Sequence, residues 1–154
     1  MRRLAPLVIL AILTATQVAQ SAQGRSEFDA KITSLLDKVE GDAPQSNERY
    51  EDMLEVVKFA RSSGSSHQIQ SIDECNIVRL ADLVRGRELR LDAAIVLTVI
   101  GPRAKQAIPA LESALSEETA IRHQSGPVEN DSVVQLCRAL HAIKGKWPSD
   151  CVNL

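Results

Sequence analysis

Cysteine and histidine are the residue types in this 154-residue chain best suited to nucleophilic, redox or metal chemistry, and there are three of each. The cysteines are Cys75, Cys137 and Cys151, and the histidines are His67, His123 and His141. A nucleophilic cysteine needs a base and an orienting group beside it, and these histidines fall in no such motif. His141 follows Cys137 by four residues. That spacing would suit two metal ligands on one helical face, but no second pair completes a set. The expected arrangement is a surface histidine beside a core cysteine, with no catalytic residue, metal or cofactor. The chain also has no Gly-rich phosphate loop, G-x-S-x-G elbow or H-E-x-x-H helix.

Three cysteines allow three single bridges and leave one thiol unpaired. Cys137–Cys151 is the favoured pair, because the tail from Lys146 to Leu154 follows a glycine and can double back along the last helix. Arg79, Arg85, Arg87 and Arg90 form a basic run that could face a partner, although Asp82, Glu88 and Asp92 are interspersed as on an ordinary solvated surface. The acids Glu48, Glu51, Asp52, Glu55, Glu117 and Glu118 fit solvated helix faces and ends.

An oxidising compartment would favour such a bridge, and the opening residues point to one. Met1-Arg2-Arg3 is basic, Leu4 to Leu13 is apolar apart from Pro6, and Thr14 to Ala22 is small and polar. This is the layout of a secretory signal peptide, and the apolar run is far shorter than the roughly 20 residues of a membrane span. Ala19-Gln20-Ser21 places cleavage after Ser21, with Ala22 as the alternative, so residues 1–21 form the signal and 22–154 a single domain. Cleavage removes Arg2 and Arg3 and takes the formal charge from −2 to −4. The expected destination is a bacterial periplasm or beyond, with no stable membrane insertion afterwards.

The elements that must position these groups read as helices. Aromatic residues are only 3%, so the core is built from Leu, Ile, Val and Ala, which favours packed helices over a β-sandwich. Phe28, Ile32, Leu35, Leu36 and Val39 keep helical spacing up to Gly41. Tyr50, Met53, Leu54, Val57 and Ala60 follow a cap at Ser46 or Asn47, and Ser62 to Ser71 is a loop. Ser71-Ile72-Asp73-Glu74 has capping-box form ahead of Ile77, Leu80, Ala81 and Val84. Leu89 to Ile100 is apolar on nearly every side, which marks a helix buried between neighbours. Gly101-Pro102 then turns the chain. Ala104, Ala107, Ile108, Leu111, Ala114 and Leu115 give the next face. The last helix starts near Asn130 or Ser132 and carries Val133, Leu136, Cys137, Leu140 and Ile143 to Gly145. The fold class is all-α, with about six helices in antiparallel hairpins.

Superposing Gly101 on Gly145, an offset of 44 residues, matches Leu89 with Val133, Ala93 with Cys137, Val96 with Leu140 and Val99 with Ile143. That period falls in the range of two-helix repeats. The run from Leu89-Arg90-Leu91-Asp92-Ala93-Ala94 through Leu97, Ile100-Gly101-Pro102 and Ala104 to Ala107-Ile108-Pro109-Ala110-Leu111 resembles the bacterial HEAT-like repeat, V-R-x-x-A-A-x-x-L-x-x-I-G-P-x-A-x-x-A-I-P-A-L. The resemblance covers about residues 77–116, more faintly 130–145, and nothing before residue 70. It implies a short α-solenoid. The chain departs from the pattern at Gly86, where the family often has an acid, and at Val134, which takes the Arg90 position of the next unit. Both departures imply a weakened polar ladder between repeats. A further departure is Ser116 to Glu129, where the family has a short turn; Glu117, Glu118, Arg122 and His123 make this insertion a candidate binding loop.

These features imply a non-enzymatic module that binds another protein. A periplasmic inhibitor or immunity protein blocking a toxin or hydrolase is the alternative, and a small Cys/His enzyme the more distant one. Nucleic acid is not an expected partner, since the chain is acidic and has no aromatics near its arginines for stacking.

Overall fold

The computed structural model describes residues 27–63, 69, 72–125 and 131–151, with the side chains of 122–125 and 131 left out. The expected signal segment 1–21 lies outside the described residues. Helix α1 covers residues 27–41, and α2 (Asn47–Ser62), α3 (Glu74–Arg85), α4 (Arg90–Ile100), α5 (Ile108–Ser125) and α6 (Asp131–Lys144) follow it. Short 3-10 turns occupy Gly101–Ala107 and Ser149–Cys151. No strand occurs among the described residues.

The α1 stripe is buried as its spacing predicts: Phe28, Ile32, Leu35, Leu36 and Val39 all join the core. Phe28 stacks on Phe59 of α2 with ring centroids 5.1 Å apart, which closes the first helix pair. Ser46 caps α2 by accepting from the Arg49 N–H at 3.1 Å, satisfying one of the donors a helix start leaves open. The cap of α3 is Asp73, whose carboxylate accepts from the Cys75 N–H at 3.0 Å. The capping-box reading put the start two residues earlier, at Ser71, which lies outside the described residues.

Helices α2, α4 and α6 lie side by side, while α3 contacts both α4 and α5 and α5 packs on α6. A polar seam ties α1 to α3. Buried Asn76 donates to Asp29 Oδ1 at 3.0 Å and to Thr33 Oγ1 at 2.9 Å, and the Asp73 N–H donates to Asp29 Oδ1 at 2.8 Å. The result is two layers, α1–α3–α5 and α2–α4–α6, with the core between them.

Helix α4 is the centre of the molecule. Ala93, Ala94, Val96 and Leu97 are fully enclosed, and the two small residues let neighbouring helices approach closely. Gly101 ends the helix at φ 65° and ψ −136°, a conformation open to glycine and costly to residues with a Cβ. Pro102 then opens the 3-10 turn.

Ser116 corrects the expectation of a loop. Helix α5 runs through it to Ser125. No Gly or Pro interrupts the stretch before Gly126, so nothing stops the helix locally. Its added turns are held by Thr119 Oγ1 donating to the Leu115 carbonyl at 2.7 Å and by ion pairs from Glu117 and Glu118.

Candidate functional site

Besides the α1–α3 seam, polar side chains gather with defined geometry at two further places among the described residues. The first is the α3–α4 bend facing α5. Arg90, only 2% exposed, donates through Nε to the Val84 carbonyl at 2.9 Å and through Nη2 to the Arg85 carbonyl at 3.3 Å. The same guanidinium donates to Glu117 Oε2 at 2.7 Å and to Glu118. Arg87 donates to Glu117 Oε1 through Nε at 3.0 Å. Hydrogen bonds from Arg87 and then Arg90 hold the Glu117 carboxyl below its ordinary range.

Of the arginine run Arg79, Arg85, Arg87 and Arg90, the last is buried, while Arg85 and Arg87 keep 57% and 68% of their side chains exposed. Arg79 bridges Asp37 at 2.7 Å and Glu40 at 2.8 Å on α1, Arg85 pairs with Asp82 on its own helix, and Arg87 is committed to Glu117. Each arginine therefore fastens one element to another or to itself, and the run offers no row of uncommitted cations. Glu117 and Glu118 are likewise the acidic half of a clasp between α5 and the α3–α4 bend, whereas the sequence placed them on a loop or a solvated helix end. The side chains of Arg122 and His123 lie outside the described set. Asp92 is buried too, and burial pushes its carboxyl above the ordinary range while Arg61 of α2 draws it back.

The second place is the C-terminal end. Cys137 and Cys151 form a disulfide with Cα atoms 5.8 Å apart, and both cysteines are buried. Gly145, at φ 73°, turns the chain out of α6, and its N–H donates to the His141 carbonyl at 2.8 Å. The tail doubles back so that Trp147 stacks on His141, ring centroids 4.3 Å apart and planes within 6°. Trp147 as a residue remains 50% exposed. The tail therefore closes on the last helix as its apolar residues and cysteine suggested, with the tryptophan at the rim and Cys151 inside. Val152 and Leu154 lie outside the described residues.

Between this tail, α5 and α6 runs an open groove of about 480 Å³. Leu115, Leu140 and Pro148 give it an apolar floor and wall, and Trp147 flanks it. Glu112 and Lys144, paired across α5 and α6, line it with Lys146 and Asp150. Ser116 and Ser149 add hydroxyls. Sequence reasoning singled out Trp147 and Cys151 but missed Glu112, Lys144, Lys146 and Asp150. Glu112 and Lys144 sit on two different helices and Lys146 and Asp150 in the tail, so no spacing in the sequence links the four.

Cys75 is exposed and unpaired, and His67 lies outside the described residues. Among the described residues no group of three or more His, Cys, Asp or Glu side chains could hold a metal ion, and no helix is long and apolar enough to cross a membrane. No protein-family model, curated protein or solved structure matches the chain.

Proposed function

We propose that this chain is an exported, non-enzymatic protein-binding module built as a short α-solenoid of HEAT-like repeats. The observation that carries the reading is the order of the layers. Alternate helices stack beside one another, α2 on α4 on α6 and α3 on α5, as successive hairpins of a repeat array do. The residues of the repeat-like run also take the parts that their types suit. Ala93 and Ala94 sit in the closest packing, Gly101 and Pro102 make the corner, and Pro109 lies in the first turn of α5, where its missing N–H costs little. The Cys137–Cys151 bridge favours an oxidising compartment, in line with the signal-like start.

An array of this kind works without covalent chemistry. Packed helices fix the backbone, and exposed side chains on their outer faces select the partner. Tyr50 on α2 and Val78 on α3 are large apolar residues left exposed, one in each layer. Capture from envelope extract with the processed, oxidised protein tests the reading. One protein retained in stoichiometric amount supports it. Turnover of a small molecule by the purified chain, with no protein retained, overturns it.

A further inference from the structure

The C-terminal groove joins an aromatic flank, apolar side chains and charged groups of both signs. Its charged walls are balanced, with Glu112 and Asp150 against Lys144 and Lys146. The four charges sum to zero and Glu112 is already paired with Lys144, so the groove gives neither an anion nor a cation a preferred place. Lysine supplies donors only and an ionised carboxylate acceptors only. A hydroxyl group both donates and accepts, so a ligand carrying several hydroxyls can bond to Lys146, to Asp150 and to the outer atoms of the Glu112–Lys144 pair, with Ser116 and Ser149, whose hydroxyl donates to Asp150 at 3.2 Å, beside them.

The apolar part completes the match. His141 covers one face of the Trp147 indole, which fixes the ring, and half of the residue stays open beside the groove. The face of an aromatic ring is electron-rich and attracts weakly positive edges. The C–H face of a pyranose ring is such an edge, and its equatorial hydroxyls point sideways to polar walls. We propose that the groove between α5, α6 and the C-terminal tail binds an uncharged saccharide of one or two rings, stacked on Trp147 and hydrogen-bonded by Glu112, Lys144, Lys146 and Asp150. This site is separate from the exposed faces of α2 and α3, so its failure leaves the protein-binding reading standing, and the reverse holds too.

Trp147 is the only tryptophan in the chain, so intrinsic fluorescence reports on the groove without a background. The oxidised protein is titrated with maltose, cellobiose and chitobiose, alongside glutarate, cadaverine and a neutral capped dipeptide. A saturable emission change with at least one disaccharide, and none with the charged probes, is the expected result. Saturation-transfer NMR on that sugar should show at least about tenfold weaker binding to Trp147→Ala, with an unchanged far-UV spectrum, and Lys146→Ala should weaken it less. The proposal is overturned if no disaccharide gives a saturable response up to about 100 mM. It is equally overturned if binding survives Trp147→Ala, or if a charged probe or the dipeptide binds more tightly than every sugar.

Discussion

At the residue scale, Arg90 ties more of the molecule together than any other polar side chain described. Its fork reaches two carbonyls at the end of α3 and two carboxylates on α5, and the planar guanidinium suits this where an ammonium does not. Arg90→Ala leaves the nearly buried Glu118 without this cation and should cost about 3 kcal/mol in urea unfolding. Arg90→Lys should recover only part of that loss; full recovery would mean that charge alone matters there. Glu117 makes the same clasp sensitive to acid. Its carboxyl is held below the ordinary 4.5 in the folded chain, so its contribution is complete above the unfolded value and is lost as pH falls through the folded one. Stability should therefore decline on acidification below about 4.5, and Glu117→Gln should flatten that decline. An unchanged acid limb would show that the ion pairs to Arg87 and Arg90 contribute nothing.

At the element scale, α4 shows what apolar patterning can do. A run that is apolar all round has to be enclosed, and Leu97 is fully buried between neighbouring helices. Leu97→Ala should therefore cost about 2–5 kcal/mol by calorimetry or denaturant melts, and a loss below about 1 kcal/mol would mean that the packing of α4 is misread. Much of the helical order was legible for this reason: the stripes of α1, α3 and α6 are buried as their period predicts, whereas in α2 Tyr50 is exposed, Leu54 is half-buried and Val56 joins Met53, Val57 and Ala60 in the core. The extension of α5 was not. A family pattern suggested a turn near Ser116, while local propensity favoured helix, as did partners 27 to 30 residues away: Arg90 for Glu117 and Glu118, and Arg87 for Glu117. Those partners are invisible in a linear reading, and so was the fate of the arginine run, since a charge looks solvated until its opposite number is located in space.

At the scale of the whole molecule, the proposed repeat array would leave an apolar face of its last hairpin open unless something covered it. The tail lies back on α6 through the Trp147–His141 stack and the Cys137–Cys151 bridge, which closes a segment with a sequence separation of 14. Cys151→Ser should lower stability by up to roughly 3 kcal/mol and shift Trp147 emission to the red as the indole leaves His141. An unshifted spectrum would mean that the tail holds its place without the bridge. The other claim at this scale is that the layers exist to hold a protein partner. Photo-crosslinking from Tyr50 on α2, in intact cells producing the full chain, tests it most directly. The account predicts one cross-linked species of defined mass, containing a second protein at one-to-one stoichiometry. No protein adduct from that position, together with substrate turnover by the isolated chain, would contradict it.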